Sequence, residues 1–469
     1  MQFVANGPDI PDALLHAHED GDLVFFCGAG ISAPAGLPDF KGLVDKIYTL
    51  IGDDPDDLER RAMQGKQYDV ALTLLEKRFP DRIKIRRALA QALTPKRTRK
   101  DATRTHEALL TLARDRRGTL RLVTTNFDRL FHAAVRETDE TFESYVAPML
   151  PIPKRSRWNG VVFLHGLLPS TPDDAALNRL VFTSGDFGLA YLTERWAARF
   201  LSEVFKNYVV CFVGYSLSDP VLRYMMDALA ADRMQGEATP QAWALVACEP
   251  GNEDKTAAEW KAKGVSPITY KSTRAHSLLH ETLREWAGLY RDGVLGKESI
   301  VARYALARPS MSTPQDDFVG RMLWALADKS GLPAKRFAEF NPLPSLEWLD
   351  VAFADERFGY FDLTRFGVVP QNETNPELRF SLIRRPASSY DRASFMELVS
   401  DGAARSEWDV IMQHLADWLV RHLGDPKLIL WVAKRGGRLH PSFAKMIERQ
   451  LNLDFSGMSS AEADSPLAG

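Results

Sequence analysis

The sequence predicts an α/β fold: a parallel sheet covered by helices and carrying a helical insertion, followed by a mainly α-helical C-terminal domain. Three observations lead to it. From residue 20 to about 290, short apolar runs alternate with helical patterns, the pattern expected of parallel strands joined by crossover helices. A glycine turn, Gly28-Ala29-Gly30, closes the first apolar run. After Leu289 the strand pattern stops and helical signals take over.

Taken in order, the expected strands are Leu23 to Cys27, Leu120 to Thr124, Val161 to Leu164, Leu180 to Thr183, Val209 to Val213, Ala242 to Ala247 and Pro267 to Tyr270. Several are almost continuously apolar, as strands buried on both faces must be. Between the first two lies a helical insertion, about 43–113, in which Tyr68, Ala71, Leu72, Leu75 and Phe79 recur at helical spacing. The expected organisation is a sheet domain over 1–290, a linker from Arg291, a helical domain over 297–455 and a disordered tail over 456–469. In the helical domain Thr313, Pro314, Asp316 and Asp317 open a helix with the stripe Phe318, Met322, Leu326 and a stop at Gly331. A second helix runs from Glu407 to Leu423 with Trp408, Ile411, Met412, Leu415 and Leu419 inward, ended by Gly424. Trp324, Trp348, Trp408, Trp418 and Trp431 read mostly as core of that domain.

The 469 residues suffice for roughly two or three domains. A hydrophobic share of 45% and a charged share of 26% are ordinary for a globular chain and exclude bulk disorder. The net charge of −3 supplies no overall attraction to nucleic acid or to an anionic membrane. Cys27, Cys211 and Cys248 sit in or beside apolar runs, which excludes a disulfide framework or a four-cysteine zinc site and points to a reducing, cytoplasmic compartment. No apolar run approaches the roughly 18 residues that span a bilayer, and no secretory signal opens the chain.

The chemistry concentrates at the ends of the strands. Glycines in Gly28-Ala29-Gly30-Ile31-Ser32 let a backbone approach a diphosphate closely. The run continues Pro34-Ala35-Gly36-Leu37-Pro38-Asp39-Phe40-Lys41-Gly42, whose prolines and glycine break the uninterrupted helix of a dehydrogenase. Three further motifs follow: Thr124-Thr125-Asn126-Phe127-Asp128, Val162-Phe163-Leu164-His165-Gly166 and Val213-Gly214-Tyr215-Ser216. Read singly, Asn126 and Asp128 are equally caps of a helix near Arg129, His165 a core histidine, and Gly214 and Ser216 turn residues. Their joint occurrence at strand ends favours one nucleotide pocket.

Together these segments resemble the sirtuin family over roughly Leu23 to Leu289. The resemblance implies a Rossmann-like sheet of the sirtuin type, with NAD bound by Gly28, Ala29, Gly30, Ser32, Pro38, Asp39, Phe40, Thr124, Gly214, Tyr215 and Ser216. It implies catalytic roles for Asn126, His165 and Asp128. The sequence departs from the family at Lys41, where the family has Arg, and at Thr125, where it has Gln. The family's deacylases carry a four-cysteine zinc module after the histidine motif, but 167–180 contains no cysteine and no metal is expected. The runs Phe182-Thr183-Ser184-Gly185-Asp186-Phe187 and Gly214 to Pro220 resemble the sirtuin-like NADases of bacterial anti-phage systems.

That likeness implies an NAD+ glycohydrolase releasing nicotinamide, with ADP-ribose or a cyclised form as the other product, and acting in defence by NAD depletion. The nicotinamide leaves as a neutral molecule, so no strong acid is needed; a pocket, polar groups for the developing ribosyl cation and a positioned water are. Asn126 can orient water or ribose hydroxyls without titrating. His165 can accept a proton near neutral pH, and Asp128 positions the ribose or its neighbours. The competing readings are a zinc-less NAD-dependent protein deacylase or ADP-ribosyltransferase, and a non-catalytic NAD or ADP-ribose binding scaffold. A constantly active NADase would poison its own cell, so the helical domain is expected to regulate, the enzyme to form a homo-oligomer, and a HerA-type ATPase, an Argonaute or a phage protein to act as sensor partner. The basic residues crowded between Lys77 and Arg121, among them Lys84, Arg86, Arg87, Lys96 and Arg97, read as a solvated helix face, with a nucleic-acid contact as the alternative. Gly293 to Ser299 only superficially resembles a phosphate loop, and His276 and His280 lack the spacing and third ligand of a zinc site.

Overall fold

The computed structural model describes residues 1–95, 101–136, 141–171, 173–216, 222–226, 239–328, 330–349, 383–384, 407–434, 438–439 and 441–462. The chain divides into two compact units, Gln2–Arg291 and Asp292–Gly469.

The first unit is built on seven parallel strands: β1 (Leu23–Cys27), β2 (Arg121–Thr124), β3 (Ser144–Val146), β4 (Gly160–Phe163), β5 (Val209–Val213), β6 (Ala242–Cys248) and β7 (Val265–Lys271). Their order is β3-β4-β2-β1-β5-β6-β7. The chain therefore works outward from β1 on one side, then returns to β5 and works outward on the other, which puts the topological switch between β1 and β5. Ligands of open α/β sheets bind outside the C-terminal ends of the strands at such a switch.

Every residue of β1 is buried, because successive side chains point to opposite covered faces. Phe26 packs against Phe205 and Phe212, with ring centroids 5.8 Å and 5.5 Å away. Phe25, facing the other way, meets Trp286 at 5.8 Å. The insertion contains α2 (Phe40–Ile51), α3 (Asp57–Gln64), α4 (Tyr68–Arg78), α5 (Arg82–Ala92) and α6 (Arg104–Leu112), all following α1 (Asp12–Glu19). Leu43, Ile47, Leu72, Leu75, Ile85 and Leu89 form a second core, which Phe127, Leu180 and Phe182 join from the sheet edge. The insertion is thus anchored on the loops that leave β2 and β4.

One strand reading needs correction and one strand was missed. Leu180 to Thr183 is no strand: Val181 N donates to His165 O, and the chain then turns into the short helix Ser184–Phe187, capped reciprocally by Thr183 and Asp186. β4 already has β2 and β3 at its sides, so no ladder position beside it is free. β3 itself is three half-buried residues and was not foreseen. At the linker expected from Arg291, the helical stretch Ser277–Tyr304 consists of two helices that meet in a kink at Gly293, with φ 57°.

In the second unit the described residues are mainly helical: Phe318–Leu326, Leu332–Glu339, Glu407–Val420, Pro426–Lys434 and Pro441–Glu462. Asp317 caps the first of these by accepting from Gly320 N at 3.3 Å. Gly331 does not end that helix but, with φ 68°, opens the next. Leu415 and Leu419 are buried as expected, as are Trp324, Trp348 and Trp418, while the side chains of Trp408, Ile411, Met412 and Trp431 lie outside the described residues. Residues 456–462 are helical where composition suggested disorder, the first proline after Pro441 being Pro466; residues 463–469 lie outside the described ones. Lys297 ion-pairs with Asp328 at 2.8 Å and lies over the Trp324 ring, which accounts for the cation of the false phosphate loop.

Candidate active site

The turns after β1 and β5 are locked backbone to backbone. Gly28 N donates to Val213 O at 2.8 Å and Gly30 N to Gly214 O at 2.9 Å. A methyl group at Gly30 would lie 2.8 Å from Gly214 Cα, and one at Gly214 would lie 2.7 Å from Ile31 N, in a backbone with φ +75°. Those glycines are required first by each other. The chain from Ala29 to Ala35 is a 3-10 helix containing Pro34, and α2 starts only after Asp39, whose Oδ1 accepts from Gly42 N at 2.8 Å.

A cavity of about 570 Å³ opens at this switch point. Ala29, Gly30, Asp39, Phe40, Gly214, Tyr215 and Ser216, all expected to hold the cofactor, line it, as does Lys41. Lys66, Tyr68, Trp260, Tyr270 and His276 line it too and were not foreseen; the aromatic residues beside β6 and β7 are the signal that points to them. Leu217 to Pro220 lie outside the described residues.

A second, small cavity of about 40 Å³ shares Ala29, Asp39 and Phe40 with the first and is lined also by Ser32, Pro38, Thr125, Asn126 and Asp128. Thr125 and Tyr215, which stand one in each cavity wall, are joined at 2.9 Å. Because the Tyr215 hydroxyl donates to Cys27 O, Thr125 is the donor of this pair. Thr125 thus finds its partner in the loop after β5.

Asn126, Ser32 and Asp128 form one buried network. Asn126 Nδ2 donates to Gly28 O and to Ser32 Oγ, each at 3.2 Å. Ser32 Oγ donates to Asp128 Oδ2 at 2.9 Å, and Asp128 Oδ1 accepts from Leu130 N at 2.9 Å. Asp128 therefore also caps α7 (Leu130–Arg136), as the simpler reading held; Asn126 does not. Burial raises the Asp128 pKa above the ordinary carboxylate value. Phe127, between the two polar residues, points into the core of the insertion and holds the loop.

Three predicted residues, Gly28, Thr124 and His165, line neither cavity. Thr124 Oγ1 donates to Cys27 O and accepts from Asn126 N, both at 3.1 Å, bracing the strand ends. His165 is fully enclosed: its Nε2 meets the Tyr191 hydroxyl at 2.9 Å, its ring stands edge-on to Phe187, and burial alone lowers its pKa to about 3. Its Nδ1 is buried without a hydrogen-bond partner among the described residues. Asn126 and His165 each stand two residues beyond paired strand ends, Thr124 beside Phe163. The sheet brings them to one edge; the small cavity receives only the first.

Arg86 shapes the segment after His165. Its Nη1 donates to Leu177 O and Leu180 O at 3.0 Å and 2.8 Å, its Nη2 to both Asp186 oxygens, and its Nε to Glu76. Tyr191 lies in a π-helical turn, Gly188–Thr193, a feature frequent at functional sites. Of the basic run, Arg86 is fully buried and Arg87 pairs with Asp174, while Lys96, Arg97, Arg99 and Lys100 lie outside the described residues. His276 and His280 bond separately to Tyr270 and Thr105, and no group of potential metal ligands occurs among the described residues. No helix among them is long and apolar enough to cross a membrane.

Residues 120–268 match the family model of a SIR2-like domain, which supports a sirtuin-like family for the sheet unit and, because such domains use NAD, an NAD-related role. The match takes in Asn126, Asp128, His165 and Gly214 to Ser216 and begins after the β1 turn. Over 333 residues, 70% of this chain, the sequence is 32% identical to the uncharacterized protein y4cA of Sinorhizobium fredii. The chain spans 27% of the length of that relative.

Proposed function

We propose that this chain, with its sirtuin-like sheet unit, is an NAD+ glycohydrolase that acts in anti-phage defence by depleting NAD. The observation that carries the reading is the Asn126 amide at the wall of the small cavity, next to the glycine-lined cavity at the switch point. The close backbone approach at Gly28, Gly30 and Gly214, where a side chain would collide, suits a dinucleotide laid across the two strand ends.

In this reading the large cavity takes the adenosine diphosphate half and Lys41 and Lys66 face its phosphates. The bond between ribose C1′ and the nicotinamide nitrogen breaks with its electron pair going to the ring, which becomes neutral. A water oxygen bonds to C1′ and its proton passes to a base. Asn126 orients that water or a ribose hydroxyl, and Asp128, through Ser32, fixes Asn126. His165 is the candidate base, reached once the aromatic enclosure by Tyr191 and Phe187 opens. The volume of about 40 Å³ accommodates water rather than a pyridine ring, so the small cavity widens as NAD enters. Opening of both places is the step at which the helical unit, oligomerisation or a sensor partner would act.

The test is incubation with NAD alone and with a triggering extract. Nicotinamide and ADP-ribose without peptide support hydrolysis; strict dependence on an acyl-peptide or a protein acceptor shows a deacylase or transferase instead. Asn126→Ala lowers nicotinamide release by about 100-fold or more with little change in melting temperature. The enclosure of His165 favours a second reading, a non-catalytic NAD-binding scaffold. Defence or toxicity that survives in both Asn126→Ala and His165→Ala would establish it.

A further inference from the structure

Ser32 Oγ is a three-way junction, lying 2.9 Å from Asp128 Oδ2, 3.2 Å from Asn126 Nδ2 and 3.3 Å from His106 Nε2. A hydroxyl has one proton to give and two lone pairs with which to accept. The carboxylate takes the proton, and the amide nitrogen, a donor only, takes one lone pair. What remains toward His106 is a lone pair, so His106 Nε2 carries its hydrogen and donates.

The imidazole is built for that role. His106, on α6, is completely buried, stands edge-on to Phe131 at 4.8 Å, and has a pKa lowered to about 3 by burial and by the neighbouring His280, so it is neutral. Its Nδ1 has no hydrogen-bond partner among the described residues. A buried acceptor left unmet costs less than a buried N–H left unmet, which again places the hydrogen on Nε2.

The consequence reaches the cavity. With both N–H groups of Asn126 given to Gly28 O and Ser32 Oγ, its Oδ1 is left as the free acceptor among the described residues, at a side chain that lines the small cavity. Gly28 O holds one N–H; the plane of the amide is set by where Ser32 Oγ stands.

We propose that His106 is a positioning residue which, through Ser32, holds the Asn126 amide with Nδ2 inward and Oδ1 toward the small cavity. This rests on the reading of Asn126 as the group that meets the substrate. His106 touches no ligand and is separated from Ser32 by 74 residues of sequence.

The test uses the full chain labelled with ¹⁵N at histidine and asparagine, alongside nicotinamide release. In the wild type the His106 ring is a neutral Nε2–H tautomer and the Asn126 side-chain protons are protected from exchange. His106→Phe removes the donor and His106→Gln retains one. In His106→Phe the Asn126 protons lose protection and kcat falls about 10- to 100-fold, with KM for NAD within about 3-fold. His106→Gln restores both readouts, whatever its melting temperature. An Nδ1–H tautomer, or Asn126 protons equally protected in His106→Phe, overturns the proposal; so does a loss of activity that tracks melting temperature in both variants. The spectra read the positioning even if the chain releases no nicotinamide, in which case the hydrolase reading alone fails.

Discussion

The loops that follow β2 and β4 leave neighbouring strands at the same height, Thr124 beside Phe163, and meet opposite surroundings. The first ends in a side chain that borders a small cavity, Asn126, held by neutral hydrogen bonds from three directions. The second ends in His165, closed in by Phe187 and Tyr191, with the chain beyond it clamped by the buried guanidinium of Arg86. An amide loses little by sitting at a cavity wall, because it never charges. An imidazole sealed in apolar surroundings is kept neutral, and it becomes a usable base only when the seal is broken. The same sheet edge therefore carries one amide at a cavity wall and one imidazole sealed away from it.

The strongest way to break this contrast is to remove the clamp. Arg86→Met leaves Asp186 and Glu76 without their buried counter-charge and frees the carbonyls of Leu177, Asn178 and Leu180. The expected loss is about 3–5 kcal/mol in urea unfolding. Hydrogen exchange should rise first in 165–187 while Asn126 stays protected; equal loosening of both loops would show that the clamp serves the whole unit.

Acidification is expected to have a smaller effect, and its sign follows from the buried imidazoles. His106 and His165 have pKa values lowered to about 3 in the fold, against about 6.5 when unfolded. Between those values the unfolded chain takes up protons that the folded chain refuses, so stability is full above about pH 6.5 and falls as pH drops toward 3. At pH 5 each costs about 2 kcal/mol, and Asp128, whose pKa is raised by burial, works in the opposite direction. Thermal melts across pH 4–8 check this. His165→Gln should flatten the profile and Asn126→Ala should leave it unchanged, which would sharpen the distinction between the two loops.

The smallest expected effect belongs to the bridge between cavities. Tyr215→Phe removes the hydroxyl that joins Thr125 and Cys27 O and should cost about 1 kcal/mol. Unchanged urea midpoints would mean that the bridge carries nothing.

Much of the sheet was legible because β1, β2, β4 and β5 are buried throughout or nearly so, and continuous burial leaves a continuous apolar run. β3 escaped because three half-buried edge residues leave no such trace. Leu180 to Thr183 misled for the reverse reason: Val181 packs into one core, Leu180 and Phe182 into another, which mimics a strand without a ladder. At the site, Asn126, Asp128 and the glycines were readable because they recur together just past the ends of apolar runs, in motifs whose order is visible in the sequence. His106 and Arg86 were not: each acts on groups 74 to 100 residues away, and a basic run in sequence shows charge without showing its partner. Tyr191 was hidden likewise, since nothing in Gly188–Thr193 marks the hydroxyl that meets His165.

The mutual contact of Gly28, Gly30 and Gly214 has a thermodynamic corollary. In the proposed reading, the wall that would face NAD is finished when the two strands pair, so the ordering entropy of a binding loop is already lost during folding and is not subtracted from affinity. Calorimetry of ADP-ribose binding should therefore show only the modest heat-capacity change of a rigid host, and the association rate should be limited by encounter rather than by rearrangement of this turn.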